Sequence, residues 1–364
     1  MNTFPQGDIP LFEVDFAFPL EFDSRIMGGR RRRVHPAAPT TTNRPRKSTG
    51  PRAPRTKSRP PTADQDFDLW RVRQELLNLD PTGAHFAASI REAFDQAYDG
   101  QRTGRWDVTQ LAKTEKTHIG TLIEIWLQRE LAFEDGDNLD FAIAGIDVDC
   151  KWSQNLYEWE IPLEMYAERN EIALVVWANE DTSRWAAGLI RISEPILRAT
   201  GNQDRKRKLN DDGADSILWV FREMPMIRNV LNDRRELATR LANQTSGQSA
   251  VNLLFREVQG ELISQATIAT AAQQIDPSKR ARDARKDLAP EGIVILGPYQ
   301  AHAEIATDLG LPRPGRSQFV SARVTPSSVG DDRPSASIDG TYWRVATGTD
   351  QVVHAPLLPA VKSS

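Results

Sequence analysis

The chain has one cysteine among 364 residues, Cys150, which excludes an intrachain disulfide framework and fits a reducing cytoplasm. Five histidines, His35, His85, His118, His302 and His354, are scattered without ligand spacing, so structural zinc is not expected. No apolar run approaches the ~20 residues that span a bilayer. The N-terminus has no basic start followed by a hydrophobic core, so neither membrane insertion nor secretion is expected. There is no GxxxxGK, hence no expected nucleotide cofactor, and no serine or cysteine triad has its supporting context. "DGDNLD" approaches a calcium loop, but Leu139 stands where an oxygen ligand belongs and the sixth place is not glycine.

With 39% hydrophobic and 26% charged residues, the chain has room for two domains with real cores and a tail. Its net charge of −4 is unevenly spread: residues 30–62 hold eleven Lys or Arg and no acid, leaving −15 for the rest. Residues 1–62 are too rich in Pro, Arg, Thr and Ser to bury a core and are expected to be a disordered extension. Either they form a basic arm that adds phosphate affinity, or they are a variable or mis-started N-terminus.

The segment "NLDFAIAGIDVDCKWS", residues 138–153, carries the chemistry. Alternation from Gly145 to Ser153 predicts a strand with Ile146, Val148 and Cys150 on one side and Asp147, Asp149 and Lys151 on the other. Cys150 therefore reads as core rather than nucleophile. Asp140 precedes a short run from which a strand or turn could bring its carboxylate back beside Asp149. Two hard oxygen ligands suit Mg²⁺, and a neighbouring lysine can hold the attacking water or the scissile phosphate. The competing reading is a paired surface face on an edge strand. A second acid-x-Lys match, Asp204 with Lys206, falls in the hydrophilic run "NQDRKRKLNDDG" and reads as a solvated loop. Upstream, Ile119, Leu122, Ile123, Trp126 and Leu127 form a helical stripe over residues 116–130. Glu124 lies off its centre, where it can approach the same site from a helix packed on the strand.

Around this centre, helical stripes are predicted at Phe67–Leu79 and through Phe86, Ile90 and Phe94. Arg102, Arg105, Lys113 and Lys116 surround the helix bearing Glu124 and either contact phosphates or bases or remain solvated. "EIALVVWAN" and "RWAAGLIRI" predict neighbouring strands. Residues 63–212 are thus expected to form an α/β core, a mixed sheet flanked by helices. The polar run from Gly201 to Gly213 marks the passage to an α+β domain over residues 213–364. There the expected order is a helix to about Ile263, a short helix over Ile268–Gln273, and a third helix capped by Asp276 with Pro277 first. "GIVIL" follows as a strand. Lys279, Arg280, Arg282, Arg285 and Lys286 crowd the third helix, which suggests a winged helix-turn-helix near residues 262–288 whose second helix enters DNA. Alternatively, Asp283 and Asp287 pair with these cations on a solvated helix.

Taken together, "YDGQRTGRW", "KTEKTHIGTLIEIWLQRE", "IAGIDVDCKWSQ", "IATAAQQ" and "PEGIVILG" resemble the NaeI-type restriction endonucleases, from about Asp66 to nearly the C-terminus. The resemblance implies a restriction-endonuclease-like core in which Asp140, Asp149 and Glu124 serve the metal and Lys151 sits beside the nucleophilic water. It further implies a C-terminal DNA-binding domain whose bound DNA promotes cleavage, a GC-rich target and two-site behaviour. The expected function is then a Mg²⁺-dependent type II restriction endonuclease of a bacterial restriction-modification system. It would cut both strands of a short palindromic double-stranded DNA site as a homodimer in the cytoplasm. Two rivals are a structure-directed or repair nuclease with the same chemistry and a noncatalytic winged-helix DNA-binding regulator.

Overall fold

Helix α1 (Phe67–Leu79) starts at Asp66, whose side chain accepts from Leu69 N, and buries Leu69, Val72 and Leu76. The buried Asp80 ends it and also starts the next helix, accepting hydrogen bonds from Ala84 N and Phe86 N. Helix α2 (Ala84–Tyr98) runs until Asp99 adopts a left-handed conformation, and the single turn α3 (Gly100–Thr103) follows. Helix α4 (Lys113–Leu131) buries Ile119, Leu122, Ile123 and Leu127, the stripe expected from its spacing, while Trp126 stays half-exposed. This computed structural model describes residues 33–359 except Asn43, Glu168, Arg169, Ile275, Val329 and Gly330.

Six strands follow one another in space as in sequence: β1 (Glu134–Asp135), β2 (Phe141–Ile143), β3 (Ile146–Ser153), β4 (Ile172–Asn179), β5 (Arg184–Arg191) and β6 (Leu218–Pro225). Only β3 and β4 run parallel, so the sheet is mixed. All eight residues of β4 are buried, as a central strand covered on both faces requires. Leu174 and Val176 pack with Val148, Cys150 and the stripes of α1, α2 and α4. Ala173, Val175 and Trp177 pack on the other face against Trp159, Ile161, Met165, Leu197 and Leu209. The sequence placed the end of this domain at residue 212, with amphipathic material following. The structure corrects that boundary, because Leu218, Val220 and Phe221 are buried in the sixth strand. An apolar run this short has no period that separates strand from helix.

The second half contains α7 (Val230–Asp233), α8 (Arg235–Ala242), α9 (Gly247–Glu257), α10 (Gln265–Ala272), α11 (Pro277–Leu288) and α12 (Gln300–Asp308), after α5 (Glu164–Ala167) and α6 (Asp211–Asp215) in the first. The helix expected to reach Ile263 ends at Glu257, and Leu262–Ser264 is instead strand β7. Asp276 caps α11 by accepting from Lys279 N, with Pro277 in the first turn, as expected. Strand β9 (Gln318–Pro326) pairs antiparallel with β7 and with β8 (Ile293–Leu296), and its far end pairs with β11 (Thr341–Val345), which pairs with β10 (Ser335–Ile338). The halves meet closely. Trp106, at the start of the α4 region, is buried in the core of the second half. A Cβ on Gly100 would collide with Thr270 Oγ1 on α10, so only glycine permits this approach.

The expected disorder through residue 62 is corrected for residues 33–62. They form no helix or strand, but they are pinned to the body by ion pairs such as Arg44–Asp107, Arg44–Asp181 and Arg52–Asp215. Buried acids supply the partners that composition alone does not reveal. The part of that expectation falling on residues 1–32 lies outside the described residues.

Candidate active site

The antiparallel register of β2 and β3 sets Phe141 opposite Val148. Continued one step, it sets Asp140 opposite Asp149. The Asp140 carboxylate is fixed there by Cys150 N, which donates to its Oδ2 at 2.7 Å. Asp149 is 7% exposed, and its Oδ2 forms an ion pair with Lys151 Nζ two residues along the same strand face. That oxygen is sealed from solvent, with the Lys151 ammonium as its charged partner. Burial pushes the Asp149 carboxyl up to about 6, against the pull of Lys151 and reinforced by hydrogen bonding and repulsion from Asp140. Three of the four residues named from sequence therefore converge on the edge of β3.

Glu124 approaches from α4 and is half-buried. Its carboxyl is also raised, first by burial and then by Asp140. It lies in the field of the other three, yet no group of three or more His, Cys, Asp or Glu among the described residues is close enough to hold a metal together. Without an ion the three acids expected to serve the metal are arranged as the facing pair Asp140 and Asp149, with Glu124 behind it. Like charges facing one another at low dielectric favour that separation. The pair still fits a hard divalent ion, since two facing carboxylates, one with a buried oxygen that Lys151 neutralises, supply the donors Mg²⁺ takes from a protein.

Asp147, on the same strand face, has a different task. It accepts Asp137 N and Asn138 N at 3.0 Å each and so fastens the turn that leads to Asp140. Sequence reasoning also missed buried donors without partners just beyond the site, Trp152 Nε1 and Gln154 Nε2. They belong to "KWSQ", but nothing in a single sequence separates them from core residues.

The basic residues divide unequally. On α11, Lys279, Arg282 and Lys286 are exposed at helical spacing. Arg280 is held by Gln248 Oε1 at 3.2 Å and Asp283 at 3.3 Å, and Arg285 donates to Ile295 O at 2.8 Å. Burial lowers the Arg285 pKa, as befits a cation engaged with protein. In the first half, Arg105 forks onto both oxygens of Glu115 at 2.8 Å and Arg102 pairs with Asp99. Lys113 is exposed and Lys116 half-buried.

A sequence model of the family described as restriction endonuclease NaeI matches residues 70–354. The chain belongs to that family. Among curated relatives, the type II restriction enzyme NaeI of Lentzea aerocolonigenes is 44% identical over 308 residues, covering 82% of this chain and 96% of the relative. The match takes in Glu124, Asp140, Asp149 and Lys151. It also takes in α10 and α11, so the family's extent spans both halves.

Proposed function

We propose that this chain is a Mg²⁺-dependent type II restriction endonuclease that cuts both strands of a short palindromic, GC-rich DNA site within a restriction-modification system. The observation that carries the reading is the facing pair Asp140 and Asp149 with Lys151 against one buried oxygen, inside a chain of a restriction endonuclease family. Asp140 and Asp149 would hold the ion. When bound, Mg²⁺ supplies a water nucleophile at neutral pH and neutralises charge in the displacement. The Lys151 ammonium would hold the scissile phosphate and the incoming water in line. Glu124, its carboxyl raised by burial and by Asp140, would orient the water or complete the shell of the ion. The Cys150 N–H keeps Asp140 aimed throughout.

The second half is read as a winged helix-turn-helix that binds DNA as an effector. The order α9, β7, α10, α11, β8, β9 and the pairing of β9 between β7 and β8 support this. So do the three solvent-facing cations of α11, which can reach phosphates or base edges. A palindromic target makes a two-fold homodimer the natural assembly.

Digestion of one sequenced plasmid with the purified chain and Mg²⁺ tests the proposal. Discrete fragments whose ends map to one palindrome are expected. Cleavage at junctions or lesions regardless of sequence would favour the repair-nuclease reading. Binding with no cleavage in Mg²⁺ would favour the regulator.

A further inference from the structure

Residues 33–59 lie ahead of residue 70, where the family match begins, and they are bound along their length to both halves. At one end the Arg33 guanidinium donates to Leu241 O, Ala271 O and Ala272 O at 3.0, 2.9 and 3.2 Å. These include last-turn carbonyls of α10, which have no partner within their own helix. Next to it Gln273, left-handed at φ 51°, clasps the backbone of Val34 twice, accepting from its N–H at 2.6 Å and donating to its carbonyl at 2.8 Å. Gln273 opens the turn between α10 and α11.

The middle of the segment crosses to the nuclease half. Gln110 Nε2 donates to Ala37 O at 2.7 Å, and Thr40 N donates to Thr109 Oγ1 at 3.0 Å. Arg44 then bridges Asp107 and Asp181 at 2.8 and 2.7 Å. Asp107 has a side chain 1% exposed. Arg235, from the second half, reaches the same two acids at 3.4 and 3.1 Å. Further along, Arg46 N donates to Asn155 Oδ1, and Arg52 forks onto Asp211 and Asp215 at 2.7 and 2.6 Å. Arg55 N and Thr56 N donate to the other oxygen of Asp215. The prolines between these points keep the chain extended and reduce the entropy lost on docking.

We propose that residues 33–59 are a docked strap, an extended Pro/Arg segment with Arg33, Arg44 and Arg52 as its pins, that holds the turn between α10 and α11 fast to the nuclease half. The surface it occupies is specific for an arginine-bearing extended peptide, because its sockets are a bare helix end, the Asp107 and Asp181 pair, and the buried Asp215 beside the exposed Asp211, rather than apolar pockets. The same commitment removes these three arginines from contact with DNA phosphates.

Hydrogen exchange on the full chain, read by mass spectrometry, tests the strap. In the unaltered protein the amides of Val34, Thr40, Arg46, Arg52 and Thr56 should exchange at least a hundredfold more slowly than in an unstructured peptide. Arg33→Ala/Arg44→Ala should return residues 33–46 to unstructured rates and speed exchange at 269–273 at least tenfold, with β4 unchanged. Lys57→Ala, at an exposed strap position, should alter neither region. Should the double variant fold poorly, Arg33→Lys, which keeps the charge and loses the fork, should still speed 269–273 alone. Unstructured rates for the strap in the unaltered chain would overturn the proposal. So would wild-type exchange at 269–273 in the variants, or acceleration that is as large in β4.

Discussion

Strand β3 and helix α11 both concentrate charge, and they place it on opposite sides of the boundary between protein and water. On β3 the charges are few and mutually strained: Asp149 is nearly sealed, faces Asp140 and has Lys151 as the partner of its buried oxygen. On α11 three of five cations face solvent and the other two are satisfied by the protein. Buried like charges balanced by a single cation are ready for chemistry, whereas exposed charge on a helix is ready for recognition. The two regions should therefore answer mutation with different observables.

Lys151→Ala gives the largest effect. Cleavage should fall by about 10³-fold or more while specific DNA binding in Ca²⁺ survives, as a filter or mobility assay would show; retention of the full cutting rate would remove Lys151 from the mechanism. Next, Asp149→Asn should abolish cutting yet stabilise the metal-free protein. The folded carboxyl titrates at about 6, above its ordinary 3.8, so its favourable contribution is complete below pH 3.8 and is lost as pH rises through 6. At pH 7.5 the gain from removing the charge should be about 1–3 kcal/mol, shrinking towards zero at pH 4, as denaturant melts at the two pH values would show. A variant less stable at pH 7.5 than at pH 4, relative to the parent, would contradict this account of the strand.

The same titration predicts that Mg²⁺ binding to the free protein weakens below about pH 6, by up to tenfold per unit in a calorimetric titration, because a proton on Asp149 competes with the ion. The smallest effects belong to α11 and sharpen the contrast within the helix itself. Arg282→Ala should lower the salt dependence of DNA binding by about one ion and leave the melting temperature unchanged. Arg285→Ala should do the reverse, since its guanidinium is spent on Ile295 O. Identical behaviour of the two variants would mean that burial does not sort these cations.

What could be read in advance follows from how local each signal is. Alternation placed Asp149 and Lys151 on one face, and apolar runs placed β4 and β5, because period and length are properties of a few consecutive residues. The stripe of α4 gave the helix of Glu124, whereas its distance from the facing acids depends on how α4 packs on β3, which no local pattern encodes. Asp147 and Asp149 look equivalent in sequence, and only the turn at Asp137 and Asn138 separates an anchor from a proposed ligand. Likewise, Arg280 and Arg285 are distinguished from their neighbours by Gln248 and a carbonyl of β8, both remote in sequence. The Pro/Arg segment was misread for the same reason: Asp107, Asp181 and Asp215 are far apart along the chain, and folding gathers them into its docking track.

That track bears on how the gene should be handled. Starting the chain at residue 63, just ahead of the family boundary at residue 70, would look harmless on an alignment, yet it would leave Asp107 leaning on Arg235 alone and strip Asp215 of every arm residue that neutralises it. A shortened protein would carry acidic wounds along its flank and a frayed helix end, so poor yield from such a version would report on the missing arm rather than on the enzyme.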